Sequence, residues 1–250
     1  MISDYLEAML EADTVEETWR LHTKRMAAYG FDRLLYAYTR FKHNSTMADP
    51  VDSLILSNHA PAYAEGFVNE GHYLNGPMLR WSLENDGACS WSWLKDMALE
   101  KTFTEGERKA MEYNRKMGVL AGYSIGFKSD SVRTRGGIGL TAKPDMSQDE
   151  VDAVWAKDGR EIMMMNNVMH LKITSLPYSS ARRNLTNRQR EVLEWVGDGK
   201  TMQDIATIMG LTAATVEKHL RLAREALDVE TTAQAVLKAS FQDQIFVLGA

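Results

Sequence analysis

At 250 residues the chain is long enough for one large domain or for a large and a small one, and its 44% apolar and 25% charged residues exclude disorder as the default. Nothing approaches the roughly 18 consecutive apolar residues of a membrane span, and the acidic start "MISDYLEAMLEADTVEETW" lacks the basic opening and apolar run of a secretory signal. One cysteine, Cys89, excludes an intramolecular disulfide and a Cys-rich metal site, so a reduced, cytoplasmic protein with no membrane attachment is expected. The net charge of −5 is unevenly spread: residues 170–250 hold ten basic and nine acidic side chains, which leaves 19 and 25 for residues 1–169. Basic residues can therefore dominate locally in the C-terminal part if they share a face.

In chain order, "DYLEAMLEA" and "VEETWRLHTKRMAAYG" place apolar residues at three- and four-residue steps and predict two helices, the second stopped by Gly30. "RLLYAYTRF" and "DSLILSN" have the length and the β-branched or aromatic content of strands. Pro61 opens a helix to Glu70, and Pro77 opens another that ends near Asn85-Asp86-Gly87. "TEGERKAMEYNRKMG" starts on Thr104 and stops at Gly118. "YSIGF" and "GGIGLTA" predict paired strands. "SQDEVDAVWAKDGREIMMMNNVMHL" then opens on a Ser147–Glu150 capping box and predicts one long helix, weakened by Gly159. Helices on both sides of one sheet make residues 1–172 an α/β/α sandwich. "TSLPYSSARRN" carries Pro177 and several serines, and residues 173–184 are expected to be a linker.

Residues 185–250 change pattern to short helices. Thr186 and Gln189 form a capping box for the first, which Gly197 and Gly199 end. Thr201 caps a second helix whose apolar face is Ile205, Ala206 and Met209. Gly210 breaks it, and Thr212 caps a third that buries Val216, Leu220, Ala223 and Leu227. Two short helices joined by a glycine turn make a helix-turn-helix, whose second helix enters the major groove of double-stranded DNA. The buried stripe leaves Thr215, Glu217, Lys218, Arg221 and Arg224 off the core. The fold class expected is α+β: the sandwich, followed by a small all-α domain.

Over residues 185–229 the sequence resembles the LuxR-type helix-turn-helix. Leu185-Thr186, Arg188, Glu191, Leu193, Gly199, Ile205-Ala206, Thr215-Val216, His219 and Leu227 stand where that family's pattern has them. Gln189 replaces the usual Glu and can still close the capping box. The resemblance implies a DNA operator as partner, a homodimer, and base-reading positions at Arg221 and Glu217. Glu217 either accepts from a cytosine amino group or orders a neighbouring Lys218 or Arg221. Lys200, Thr201, Thr212, Thr215, Lys218 and Arg224 complete the expected DNA-facing set.

The sandwich carries no enzymatic signature: no G-x-S-x-G elbow, H-E-x-x-H pair or P-loop, and "GGIG" reads as a strand glycine cluster. The chain's six histidines have no ligand spacing, and neither a metal nor a cofactor is expected. Aromatic density stands out instead, in Tyr63, Phe67, Tyr73, Trp81, Trp91 and Trp93. Such a cluster is a core, or a cavity in which a few polar tips orient an apolar guest. "PAYAEGFVNEGHYLNGPMLRW" resembles the autoinducer-binding domain of LuxR-type quorum-sensing regulators. That family's spacing places its Trp at Tyr63, its Tyr at Phe67, its Asp at Gly76, its Pro at Pro77, a second Trp at Trp91 and a glycine at Gly118. Pro77, Trp91 and Gly118 match; the polar anchors do not. Tyr63 keeps a donor, Phe67 has none, and Gly76 offers no carboxylate for an acyl-homoserine lactone's amide. Asn75, one residue earlier, is a substitute acceptor. Three sensor readings follow: a lactone held in altered fashion, another small apolar signal, or a self-filled pocket in a ligand-independent factor. A small-molecule enzyme tethered to DNA is a fourth reading, for which no nucleophile–base pair presents itself.

Overall fold

The computed structural model describes residues 2–39, 53–95, 103–129, 131, 134–176 and 185–246. The chain divides into two compact units, residues 1–176 and 177–250. Helices α1 (Ile2–Glu11) and α2 (Val15–Ala27) lead into strand β1 (Phe31–Thr39). Strand β2 (Ser53–Ser57), helix α3 (Pro61–Asn69), a 3₁₀ turn (His72–Asn75) and helix α4 (Pro77–Glu84) follow. Strand β3 (Gly87–Ser90), helix α5 (Glu105–Lys116), strands β4 (Gly122–Phe127) and β5 (Arg135–Ala142) and the 28-residue helix α6 (Gln148–Ser175) complete the first unit.

The five strands form one antiparallel sheet in the order β2-β1-β5-β4-β3. Register sorts its two faces. Leu34 and Tyr123 both oppose Leu140, and Tyr36 and Ile125 both oppose Ile138, so large side chains share one face. That face meets α6: Tyr123 stacks on Trp155 at 3.9 Å between ring centroids, and Phe127 on His170 at 4.1 Å. On the other face Gly139 lies between Leu35 and Ser124, Gly137 between Ala37 and Gly126, and Thr141 between Arg33 and Gly122. Gly137 and Gly139 of "GGIGLTA", with Gly122 and Gly126 of β4, therefore pave this face. A Cβ on Gly126 would lie 1.8 Å from the Asn85 carbonyl oxygen, and one on Gly137 2.6 Å from Ser82 Oγ. Their absence lets α4 settle almost onto the strands.

Gly159 does not interrupt α6. A Cβ there would meet the Trp155 indole at 2.7 Å, so the glycine makes room for the ring that stacks on Tyr123. Burial of Val151, Ile162, Met165, Met169 and Ile173 outweighs a helical glycine's cost of about 1 kcal/mol. The helix also runs past the expected boundary at residue 172. Thr174 and Ser175 bond back to the carbonyls of Leu171 and Lys172, and only Leu176, which precedes Pro177, turns extended. Residues 173–175 of the expected linker are thus helix, and residues 177–184 lie outside the described residues.

Across α1, α2 and α6 runs a buried polar chain. Asn166 Nδ2 donates to the Ile162 carbonyl at 2.8 Å, which leaves Asn166 Oδ1 to accept from His22 Nε2 at 3.1 Å. His22 Nδ1 then accepts from the Tyr5 hydroxyl at 2.8 Å.

The second unit holds α7 (Asn187–Gly197), α8 (Met202–Met209), α9 (Ala213–Leu227) and α10 (Thr232–Phe241). Capping boxes open α7 on Thr186–Gln189 and α8 on Thr201–Asp204, and Thr212 Oγ1 caps α9 by accepting from Thr215 N at 3.2 Å. Gly210 ends α8 at φ +64°, a conformation that glycine adopts without strain. Val216, Leu220, Ala223 and Leu227 pack on Val192, Leu193, Ile205 and Ala206, the stripe read from their spacing. Among the described residues no helix is long and apolar enough to cross a membrane.

Candidate functional site

Over the glycine-paved sheet face, α3 presents Tyr63 and Phe67 one turn apart, stacked at 5.3 Å and 13°. Both are buried with Val119, and Leu35, Tyr73, Leu79, Trp91, Tyr113 and Met117 pack around them. The Trp91 indole lies over the floor: its ring atoms would stand 3.1 Å from a Cβ on Gly122 and 3.9 Å from one on Gly139. Trp91 Nε1 donates to Ser124 Oγ at 3.0 Å. The Tyr63 hydroxyl donates to Asn114 Oδ1 at 3.0 Å, and burial raises this phenol's pKa well above the usual range. Tyr113 seals the outside of α3, its hydroxyl donating to the carbonyls of Ala62 and Tyr63. That approach requires Gly66, where a Cβ would lie 2.2 Å from the Tyr113 oxygen.

The anticipated residues sort as follows. Tyr63, Phe67 and Trp91 are brought together, and Gly76 lies beside them: it is buried, and a Cβ on it would stand 3.5 Å from Phe67 Cζ and 3.6 Å from Leu79 Cβ, while Pro77 is buried at the first position of α4. The Gly76 φ of −72° is open to any residue, so nothing in the backbone demands glycine there. Gly118 turns the chain at φ +70° after α5, and its carbonyl accepts from Arg33 Nη1 at 3.0 Å. This turn delivers Val119 to the cluster. Asn75, expected as a substitute acceptor, is exposed and lies against Gly106 of α5.

Sequence reading missed Asn114, Ser124 and His59. The first two are polar tips that a helix and a strand place opposite Tyr63 and Trp91, and no local pattern marks them. His59 stacks on Tyr63 at 4.3 Å and 24°. Its pKa is lowered to about 4 by burial first and by the Arg33 charge second.

In the second unit Lys200, Thr201, Thr212, Glu217, Lys218 and Arg221 are exposed, and Thr215 is half-buried beside the Thr212 hydroxyl. Arg221 Nη1 pairs with Glu225 one turn on. Arg224 does not share that exposed face as expected. Its side chain is 22% exposed, with Nη2 3.0 Å from Glu217 Oε1 and Nη1 donating to Thr232 Oγ1 at 2.9 Å. Glu217 therefore orders Arg224, and neither Lys218 nor Arg221.

Residues 14–173 match the family described as autoinducer binding domain, and residues 183–239 match the bacterial regulatory proteins of the luxR family. The chain is 24% identical over 237 residues to the transcriptional activator protein AnoR of Acinetobacter nosocomialis, covering 94% of this chain and 95% of that one. The fold is that of Escherichia coli SdiA: TM-score 0.53, 15% identity, and coverage of 98% of each chain. A second structure of that protein, in complex with octanoyl-rac-glycerol, gives the same score over 96% of this chain and 93% of the other. The N-acylhomoserine lactone dependent factor CepR2 of Burkholderia cenocepacia gives 0.51 at 18% identity, over 69% of this chain and 93% of that one.

Proposed function

Because the chain belongs to the luxR family of bacterial regulatory proteins, with an autoinducer binding domain ahead of its helix-turn-helix, we propose that the Tyr63–Phe67–Trp91 cluster is its signal site and that α9 reads the operator. The family binds DNA through this helix-turn-helix, and its members are transcription regulators and not enzymes. What carries the ligand reading is the pairing of a glycine floor with an aromatic roof. Small residues on one sheet face and Tyr63, Phe67 and Trp91 above it give an apolar lining, and Ser124 and Asn114 hold the polar tips of Trp91 and Tyr63.

The anchor positions shape which signal fits. Phe67 supplies no hydrogen bond and Gly76 no carboxylate, so an acyl-homoserine lactone is held in altered fashion, without a charged acceptor for its amide N–H. An unpaired buried N–H costs about 1–3 kcal/mol, a tenfold to hundredfold loss in affinity. The protein should therefore fold without such ligands and bind them weakly. Native mass spectrometry of protein purified from its own host tests this reading. A co-purifying small apolar molecule supports it; protein that stays ligand-free, with an operator affinity no host extract changes, overturns it in favour of a self-filled pocket.

For the DNA side, the exposed Arg221 is the base-reading side chain, with Lys200 and Lys218 on phosphates and the α8 and α9 caps at Thr201 and Thr212 facing the backbone. A homodimer on a two-fold operator is proposed, since two helix-turn-helix units one helical turn apart match a palindromic site. Sedimentation with and without a palindromic operator measures it, and a single protomer on each operator would refute it.

A further inference from the structure

Resting on the reading of Trp91 as part of the signal site, we infer that Asp152 of α6 is a positioning residue for that tryptophan, setting signal affinity through Ser90 from the opposite face of the sheet. Strand β3, which ends on Ser90, is only four residues long and stands at one end of the strand order, beside β4. Trp91 is the next residue, so its place depends on what holds the end of that short strand. Two bonds tie it to β4 directly: Trp91 N donates to the Gly122 carbonyl at 3.1 Å, and Nε1 donates to Ser124 Oγ at 3.0 Å.

The remaining hold comes from the first turns of α6. The Ser90 hydroxyl donates to Asp152 Oδ1 at 2.7 Å. That donation fixes the hydroxyl rotor, so a lone pair of Ser90 Oγ faces the Ser92 N–H, which donates to it at 3.1 Å. The chain on both sides of Trp91 is thereby gathered onto one oxygen. Gln148, one turn before Asp152, donates to the same Oδ1 at 2.9 Å. It also clasps Gly122 at two points, Oε1 accepting from the Gly122 N–H at 2.9 Å and Nε2 donating to its carbonyl at 3.2 Å. Gly122 is the residue whose carbonyl receives Trp91 N. The Tyr123 hydroxyl, opposite Ser90 in the register, donates to the same carboxylate.

One carboxylate therefore closes a ring of contacts around the foot of Trp91. A charged acceptor makes these bonds stronger than a neutral one would, and a binding side chain is only as well placed as the residues that lock its backbone and rotamer. With Ala at 152, the Ser90 hydroxyl and the Gln148 amide lose their common acceptor. The Ser90–Ser92 turn opens, and the indole loses its fixed place over Gly122 and Gly139. With Asn at 152, the oxygen on which both bonds end is kept. Ser124 is different in kind, because it touches the indole itself.

The first readout needs no ligand. In the full chain, the Trp91 indole N–H resonance is assigned by its loss in Trp91→Phe, and its exchange with solvent is timed by NMR. Asp152→Ala should shift this resonance and speed its exchange about tenfold or more, while the indoles of Trp19 in α2 and Trp195 in α7 stay as they are. Asp152→Asn should restore the wild-type behaviour. An unmoved Trp91 overturns the inference, and so does a Trp19 that loosens equally, since the loss is then general. Should Asp152→Ala fail to fold, Ser90→Ala removes a single hydroxyl and carries the same expectations. The second readout is calorimetric titration with octanoyl-rac-glycerol. Asp152→Ala should weaken it about tenfold and Asp152→Asn by less than about threefold, and in a Trp91→Phe background Asp152→Ala should add less than about twofold. Equal weakening with and without the Trp91 indole means that Asp152 does not act through it, and the inference falls. If the wild type takes up no octanoyl-rac-glycerol, the signal reading loses support and the effect on affinity falls with it, whereas the indole exchange still decides whether Asp152 places Trp91.

Discussion

Arg224 and Glu217, two turns apart on α9, are locked in an ion pair at 3.0 Å, and the same guanidinium reaches Thr232 at the first turn of α10. The arginine is thereby a staple between two helices, with its charge half spent before any DNA arrives. Arg224→Ala should cost the small unit about 1 kcal/mol of stability, since one partly exposed ion pair and one charged hydrogen bond are lost. Glu217, 49% exposed on its side chain, is then released. Urea melts that follow Trp195 check this. An Arg224→Ala variant with unchanged stability and uniformly weaker DNA binding would return the residue to the phosphate-contact role.

Arg221 behaves differently because its partner is expendable. Glu225 lies on the exposed face one turn away, and a surface pair of this kind is worth under about 1 kcal/mol. Exchange of Glu225 for a guanine edge is therefore favourable. Arg221→Ala should lose about 1–3 kcal/mol of operator binding and relax specificity at one position, whereas Lys200→Ala should weaken all sequences alike and reduce the salt dependence. Gel-shift titrations at two salt concentrations separate the two behaviours. An Arg221→Ala protein that binds its operator at wild-type affinity would show the recognition face to be misassigned.

What was legible in the chain is what a side chain does to backbone three or four residues away. Thr186–Gln189, Ser147–Glu150 and Thr212 each fix a helix start through such a bond, and the structure has each helix where its cap puts it. Pro61 and Pro77 open α3 and α4 for the same local reason. Strand β3 escaped because "GACS" is four residues with no alternation, held only by pairing with β4. Gly137 and Gly139 of "GGIGLTA" were legible as strand residues but not as a floor, since their meaning depends on Ser82 and Trp91 arriving from elsewhere. Likewise Arg33 and Thr141 come from distant parts of the chain and share a place only through the register of β1 and β5. Arg224 misled for a related reason: helical spacing gave its angle around α9 but not the presence of Thr232.

Three histidines give the first unit a common response to acid. Burial holds His22, His59 and His170 each at about 4, below the ordinary 6.5. Between those values the unfolded chain takes up protons that the folded chain refuses, so stability is complete above about pH 6.5 and falls as pH drops toward 4. Carboxylates such as Asp152, held low by hydrogen bonds that outweigh burial, add to the loss only at the acidic end of that range. Denaturant midpoints measured across it should decline steeply. His22→Leu leaves the Asn166 oxygen without its donor, while the Tyr5 hydroxyl can turn to the Met165 carbonyl 3.3 Å away. That variant should lose about 1–3 kcal/mol near neutrality and show a shallower acid decline, so that the two proteins converge near pH 4. A parallel decline in both would remove His22 from the titration.

Gly76 offers the sharpest test of the altered anchor. The site for its Cβ is in ordinary van der Waals contact with Phe67 and Leu79, and its backbone angles are open to any residue, so Gly76→Asp introduces a carboxylate without displacing the helix entrance. The new group is buried beside two apolar side chains. Without ligand it is an uncompensated charge, or a protonated acid, and the melting temperature should fall. It also sits at the N-terminus of α4, whose dipole offsets about 0.3–1 kcal/mol of that cost. With N-octanoyl homoserine lactone present, the carboxylate accepts from the amide N–H and the lost melting temperature should be recovered, while the wild type shifts little. The opposite pattern, a large lactone-dependent rise for the wild type and none for Gly76→Asp, would mean that the native site already supplies the acceptor and that Gly76 is no departure in chemistry. If neither protein responds to lactone but Gly76→Asp is destabilised as expected, the carboxylate lies in the site and the slot selects against the lactone ring itself.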